Sequence, residues 1–222
     1  NWDERKDALS GKLAELCERV FTADEVTVSF IGAATDRKRF WAAAGDLGLP
    51  KVGKKAAHVL DVQAAGARNE GFSIPSNVSY VTRAAAPSAA DAATSGCWHV
   101  ATRAITYDYL WNEVRVKGGA YGAGFQAART GTVRFYSYRD PHLDETLERF
   151  NGTPAWLAAF NPTPEEMDGY VVSTVAGFDA PLKERMQIRR QDGDFLSGRS
   201  PEARAQTRAQ MIEATPEKLR DL

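Results

Sequence analysis

Residues 111–124 join two kinds of periodicity, and they read Trp-Asn-Glu-Val-Arg-Val-Lys-Gly-Gly-Ala-Tyr-Gly-Ala-Gly. Before them, apolar residues recur in steps of three and four, which predicts a long helix over residues 89–115 with a buried centre. After them, alternation predicts two strands, at 124–128 and 132–138. The glycines between the two patterns end the helix and allow another backbone to come close. The chain is therefore expected to turn here, from helix into sheet.

This turn places Arg115 and Tyr121 on either side of the glycine cluster. A guanidinium and a phenol are strong hydrogen-bond donors, and beside an open backbone they suit a carbonyl-rich ligand such as an extended peptide. The structural alternative is an arginine that is favourable against the helix dipole and a tyrosine that is half buried on the sheet. Residue types alone favour this alternative, because such pairs are common.

The remaining patterns predict further elements. Residues expected on the buried face of the long helix are Val100, Ala104, Tyr107, Trp111 and Val114. Other helices are predicted at 3–20 and 36–47. Further strands are predicted at 26–30, near 59–62, and in two runs at 71–74 and 77–82 that Pro75 interrupts, with Thr130-Gly131 as a hairpin turn. Beyond Pro141 the chain reads as helical, and three helix starts carry a hydroxyl N-cap, a proline and an acid: Thr163-Pro164, Ser200-Pro201 and Thr215-Pro216. This order indicates an α+β fold, a mostly antiparallel sheet with helices packed on one face.

Composition limits the function classes. The 222 residues are 43% apolar and 26% charged with a formal charge of -1, which argues against nucleic acid or an anionic membrane as partner. Cys17 and Cys97 are interpreted as small core residues in a reducing compartment. No apolar run approaches the ~18 to 20 residues of a membrane span, and the first residues do not resemble a signal peptide. A soluble, cytoplasmic protein is expected.

Three patterns that could carry chemistry are weak. His58, His99 and His142 include no pair at helical spacing, and His142 begins a near miss of an inverted zinc motif in which Thr146 replaces the second histidine. We interpret it as a surface helix start. Cys97 and His99 are two residues apart, which favours core packing over a catalytic couple. Residues 122–127 fit the dinucleotide pattern G-x-G-x-x-A, but the helix precedes the strands, the reverse of the order that this motif requires.

Residues 109–122 resemble the carboxy-terminal half of the pitrilysin/insulinase family of zinc metallopeptidases, specifically its presequence-protease branch. Other matching segments occur in the same order along the chain: 70–81, 137–141, 163–166 and 179–181. The resemblance implies the metallohydrolase domain fold shared by LuxS and the mitochondrial processing peptidases. It also implies a longer four-domain chain whose two similar halves close around a peptide.

The same resemblance implies the roles of particular residues. Arg115 and Tyr121 would hold the peptide and support the oxyanion. Further substrate-binding positions would be Gly118 and Gly119 in the turn and Ser73, Ile74 and Asn77 in the edge-strand region. Zinc would be bound by the amino-terminal half, through an inverted motif and a downstream glutamate, and this chain alone would be inactive.

These inferences lead to one expected organisation. Residues 1–222 are predicted to form a single carboxy-terminal domain, with 1–22 as a leading helix. A helix start so near Leu222 and the missing initial Met suggest a piece of a longer polypeptide, and the isolated piece is expected to form a homodimer. The expected partners are the amino-terminal half and an unstructured peptide. The alternatives are a non-catalytic structural subunit of a peptidase-like complex and, from the glycine pattern alone, a nucleotide-binding enzyme.

Overall fold

The computed structural model describes residues 2–24, 26–45, 47–51, 66–85, 96–128 and 132–222. They belong to two compact units, one formed by 1–71 with 182–193 and the other by 72–181 with 194–222. The single domain predicted over 1–222 stays a prediction. In chain order the elements are α1 (Trp2–Val20), α2 (Ala34–Ala44), β1 (Ser79–Ala85), α3 (Gly96–Ala104), a π-helical segment (Ile105–Val116), β2 (Gly122–Ala127), β3 (Val133–Asp140), α4 (Leu143–Ala158), α5 (Pro164–Phe178), α6 (Glu184–Leu196), α7 (Pro201–Ile212) and α8 (Pro216–Arg220).

The first unit contains the predicted helices α1 and α2. Helix α2 ends at Ala44, three residues before its predicted end, because Gly45 adopts φ 54° and reverses the chain. The prediction that Cys17 is a core residue is wrong: Cys17 is exposed. The rest of α1 is exposed as well, since none of its residues is buried within the part of the chain that the structure describes.

The strand predicted at 26–30 is also wrong, because residues 26–31 are not part of a strand. Alternation marks a segment that can pair, but a strand forms only where a neighbour supplies the backbone hydrogen bonds. Among the described residues, no strand pairs with this segment. His58 and the strand predicted near 59–62 lie outside the described residues.

The second unit is built on a three-stranded antiparallel sheet in the order β1-β3-β2. The strands predicted on either side of the hairpin are confirmed as β2 and β3, while the turn at Thr130-Gly131 lies outside the described residues. Of the two upstream runs, only the second forms a strand, from Ser79. The run at 71–74 does not, because the chain bends at Pro75, where the Ser76 N–H donates to the Ile74 carbonyl at 2.8 Å.

One face of the sheet packs against the helices, which confirms the α+β class. The ring of Phe135 stacks on that of Phe150 of α4 at 5.3 Å, and Phe125 lies 5.8 Å from Trp98 of α3. Val81 is buried on the same face as these two phenylalanines. These contacts place the hydrophobic core between the sheet and the helices α3 and α4.

The predicted long helix is present, but its second half is π-helical. Hydrogen bonds there span five residues, as when the Lys117 N–H donates to the Asn112 carbonyl at 3.0 Å. Tyr107 and Trp111, which were predicted on the buried face, are exposed. A π-helix has more residues per turn than an α-helix, so a spacing of three and four no longer marks one face. Ile105 and Leu110 are buried there, while the predicted Val100, Ala104 and Val114 are confirmed as buried.

The three predicted helix starts are confirmed as α5, α7 and α8. In each, the hydroxyl of the N-cap residue accepts a backbone N–H three residues later, at 3.2 Å for Thr163, 3.2 Å for Ser200 and 3.3 Å for Thr215. Thr163 and Glu166 complete a reciprocal capping box. Among the helices of the described residues, none has the length and apolarity that a membrane crossing requires.

Candidate functional site at one end of the sheet

The turn between the π-helical segment and β2 is fixed by its two glycines. The Gly119 N–H donates to the Arg115 carbonyl at 2.9 Å, and Gly119 adopts φ 78°, a conformation that favours glycine. Gly118 is buried, and a Cβ there would clash with the Val114 carbonyl and the Arg149 guanidinium. Both predicted glycines are therefore required by the backbone, while their contact with substrate stays a prediction.

Arg115 lies in the last turn of the π-helical segment, half buried. Its guanidinium stacks on the Trp111 ring at 3.8 Å from the centroid. No carboxylate among the described residues pairs with it. The stacking holds the side chain while its N–H groups stay able to donate to a ligand.

Tyr121 immediately precedes β2, and its side chain is 61% exposed. Its backbone N–H donates to the Arg139 carbonyl at 3.3 Å, and its ring meets that of Tyr138 edge-on at 5.4 Å. The Arg139 guanidinium lies 5.8 Å from the Tyr121 ring. The phenol is therefore presented to solvent by a side chain whose base is packed.

A buried carboxylate supports this end of β3. Asp140 is fully buried and accepts three hydrogen bonds: from the Ser137 hydroxyl at 2.6 Å, the Thr146 hydroxyl at 2.8 Å and the His142 N–H at 2.9 Å. Arg139, the residue before Asp140, adopts φ 50°. Its carbonyl is the one that accepts the hydrogen bond from the Tyr121 N–H. The sequence patterns predict no role for Asp140, although an Asp-Pro pair before a helix is a turn signal that could indicate one.

The sheet register brings the two groups of predicted site residues to the same end. Tyr80 of β1 and Gly122 of β2 both face Tyr138 of β3, so β1 and β2 begin on either side of the last residues of β3. The segment that carries Ser73, Ile74 and Asn77 leads into β1, and all three are exposed. With neighbouring strands about 4.8 Å apart, the first residues of β1 and β2 are separated by roughly 10 Å.

Tyrosine rings lie over glycines on the sheet face opposite the core. A Cβ at Gly122 would lie 2.7 Å from Cζ of Tyr138, and one at Gly124 would lie 2.6 Å from the hydroxyl of Tyr136. The pairs Gly122–Tyr138 and Gly124–Tyr136 are direct neighbours across the strands. The dinucleotide-like pattern thus lies inside strand β2, where its glycines accommodate aromatic rings.

The described residues do not fit a zinc site. They include no group of three or more His, Cys, Asp or Glu side chains arranged to hold a metal. His142 is the exposed N-cap residue of α4, and its Nδ1 lies 3.8 Å from Oε1 of Glu145, which confirms a helix start at the surface. Cys97 is buried with its sulfur 3.9 Å from the Gln210 carbonyl, which confirms core packing.

Comparison with known proteins first defines the class. The chain aligns with the crystal structure of pitrilysin with a TM-score of 0.50 and 20% sequence identity, over 66% of this chain and 17% of that one, so it shares an α+β fold with pitrilysin. The model of the PreP C-terminal domain family matches residues 69–222. The chain belongs to this family, which confirms the predicted resemblance.

Sequence relatives agree with this family assignment. Protein HypA of Clostridium perfringens is 28% identical over 98% of this chain, and the mitochondrial presequence protease of Danio rerio is 31% identical over 68% of it. Presequence protease 1, chloroplastic/mitochondrial, of Arabidopsis thaliana is 34% identical over 51%. The chain spans 22%, 14% and 11% of their respective lengths. The compartment of this chain, predicted as cytoplasmic, is not confirmed.

Proposed function

We propose that this chain is the C-terminal, substrate-binding domain of a zinc-dependent metalloendopeptidase that degrades unstructured peptides. In this proposal the zinc ion belongs to the amino-terminal half of the same polypeptide, and this chain alone does not cleave peptides. The family assignment supports the class of enzyme. The observation that carries the role of this chain is the glycine turn, which holds a stacked Arg115 and an exposed Tyr121 at one end of the sheet.

Both side chains act as hydrogen-bond donors to the peptide. The Arg115 guanidinium donates to backbone carbonyls and fixes the position of the chain, and the Tyr121 phenol donates to the carbonyl oxygen that gains negative charge. Such a donor stabilises the transition state more than the ground state, and it acts most strongly where the closed halves exclude water. The exposed segment with Ser73, Ile74 and Asn77 leads into β1, whose first residues lie roughly 10 Å from those of β2, a distance that about three extended peptide residues span.

The test is cleavage of a quenched, unstructured peptide by this chain together with the zinc-bearing amino-terminal half. We expect no cleavage by the chain alone, and cleavage by the combination. Tyr121→Phe removes only the phenolic hydroxyl and is expected to lower kcat about 100-fold, the usual cost of one oxyanion donor, with a small change in KM. The matched control is Tyr170→Phe, because Tyr170 of α5 lies away from the turn and packs against Phe160.

Two outcomes separate this proposal from its rival. If wild type and Tyr121→Phe cleave the peptide at the same rate, the turn has a structural role only. An amino-terminal half that does not cleave in any combination would favour a non-catalytic structural subunit of a peptidase-like complex. The predicted homodimer of the isolated chain is a separate expectation, and sedimentation at high concentration would test it.

A further inference from the structure

A cleft of about 530 Å³ lies in the second unit, between α3, α5 and the free edge of β2. Its walls combine aromatic and polar side chains, and its volume is in the range of small-molecule sites. It is separate from the glycine turn, because neither Arg115 nor Tyr121 lines it. Nothing in the proposed function accounts for it.

The wall of the cleft includes a positively charged side chain. Arg103 lines it, donates to the Ser173 carbonyl at 3.1 Å and has no carboxylate partner among the described residues. None of the described residues that line the cleft is acidic. His99, also in the wall, has its pKa lowered by burial and by the nearby Arg199 guanidinium.

One buried hydrogen-bonding group in the wall lacks a protein partner within the described part of the chain. Thr174 is more than nine-tenths buried, and its hydroxyl makes no hydrogen bond there. The backbone of Ala127 lies on the outer edge of β2, because Ala128 next to it pairs with Thr132 of the hairpin. The Phe178 ring supplies an apolar wall beside them.

A row of neighbouring arginine and aromatic side chains runs between this cleft and the glycine turn. Arg103 lies 5.8 Å from the Tyr107 ring, Tyr107 lies 6.4 Å from the Trp111 ring, and Arg115 stacks on Trp111. Tyr107 and Trp111, whose exposure contradicted the sequence pattern, thus form an exposed aromatic path. The path covers twelve residues of helix, at most about 18 Å, which about five residues of an extended peptide span.

We propose that the cleft binds the carboxyl-terminal residue of a peptide, with Arg103 pairing with the terminal carboxylate and the aromatic wall receiving an apolar side chain. This inference rests on the proposed function for the identity of the ligand as a peptide. The Arg103 guanidinium, which has no carboxylate partner among the described residues, and the Thr174 hydroxyl can both donate hydrogen bonds to a carboxylate. The rings of Phe178 and Tyr107 can pack against an attached apolar group. The peptide then follows the aromatic path to the turn, about five residues away.

The first experiment measures binding without catalysis. N-acetyl-phenylalanine is titrated into the 222-residue chain by calorimetry and compared with its uncharged amide. We expect a Kd of about 1 mM for the acid, typical of a ligand this small, and binding at least tenfold weaker for the amide. Equal binding of the acid and the amide would overturn the proposal. So would the absence of binding when the acid is present at about ten times the expected Kd.

Variants locate the site. Arg103→Gln and Thr174→Val are each expected to weaken binding of the acid at least fivefold, while Thr174→Ser keeps the hydroxyl and preserves binding. Thr174→Val is nearly isosteric and removes a hydroxyl without a partner, so folding should not suffer. The matched cation control is Arg208→Gln, which removes an exposed arginine that pairs with Asp179. Unchanged binding in Arg103→Gln would refute the assignment.

A second experiment addresses the peptide. With the amino-terminal half present, a substrate with five residues after the cleaved bond is compared as free acid and as carboxyl-terminal amide. Amidation is expected to raise KM at least fivefold in the wild type and to have no effect in Arg103→Gln. If Tyr121→Phe slows cleavage but amidation changes nothing, this inference fails while the proposed function stands. If the acid binds in calorimetry but Tyr121→Phe is silent, the proposed function fails instead.

Discussion

Gly96, the first residue of α3, lies against the backbone of α7, and replacing it with alanine tests the packing of the second unit. A Cβ at this position would lie 2.5 Å from the Met211 nitrogen and 2.7 Å from Cβ of Gln210, and it would also clash with the Thr207 carbonyl. Ordinary contact begins at 3.4 Å. The helices would therefore have to separate by about 1 Å, because backbone atoms cannot rotate out of the way.

The magnitude follows from what this separation disturbs. Met211 is fully buried beside the contact, and the Gly96 N–H donates to the Gln210 side chain at 2.6 Å. Overpacking costs about 1 to 3 kcal/mol, and losing such a hydrogen bond costs about 1 kcal/mol more. We expect Gly96→Ala to lower the free energy of unfolding by about 3 kcal/mol, measured by urea denaturation with tryptophan fluorescence.

The control is the same substitution in open surroundings. Gly169 lies in the middle of α5, and a Cβ there would meet nothing within 4 Å. Gly169→Ala should therefore raise the free energy of unfolding by about 0.5 to 1 kcal/mol, the difference in helix propensity. A free energy of unfolding for Gly96→Ala within about 0.5 kcal/mol of the wild-type value would refute this expectation, because it would mean that α3 and α7 do not approach so closely.

Two further stability predictions follow from buried polar groups. Asp140→Ala removes the acceptor of three hydrogen bonds and should cost about 3 kcal/mol in urea denaturation; a loss under 1 kcal/mol would mean that the carboxylate is not the anchor described. His99 has its folded pKa lowered below the ordinary 6.5, so the unfolded chain takes up the proton first as pH falls. Stability should therefore decline from pH 7 to 5.5, and a thermal-unfolding series should show a smaller decline in His99→Gln; identical slopes would contradict this.

The helix starts were predictable because their signals are local. Thr163, Ser200 and Thr215 each make the capping hydrogen bond that three adjacent residues specify. The strands β2 and β3 were predictable for a similar reason, because alternation and a short hairpin keep both partners within a few residues.

The errors concern features that depend on distant partners. The segment at 26–30 has the pattern of a strand but lacks a described neighbour to pair with, and Cys17 lies on a helix with no buried residue. The face of the long helix was misassigned at Tyr107 and Trp111 because the pattern assumes α-helical turns. Nothing local in the sequence indicates five-residue hydrogen bonding there.

The candidate site was only partly accessible from the sequence. The turn with Arg115 and Tyr121 came from the glycine cluster and from a family resemblance, while their convergence with residues 73–77 depends on both flanking strands pairing with β3. The cleft could not be predicted, because Arg103 and Thr174 are far apart in the chain and meet only after α5 has packed.

The overlay of tyrosines on glycines has a consequence for how this sheet can change over generations. A side chain at Gly122 or Gly124 would occupy the space of the opposing ring, and a smaller residue in place of Tyr138 or Tyr136 would uncover the glycine. Each pair therefore shares one volume, and a substitution at one position alters which residues its partner can be. Related sequences are therefore expected to substitute both members of a pair together, so that position 122 covaries with position 138 and position 124 covaries with position 136.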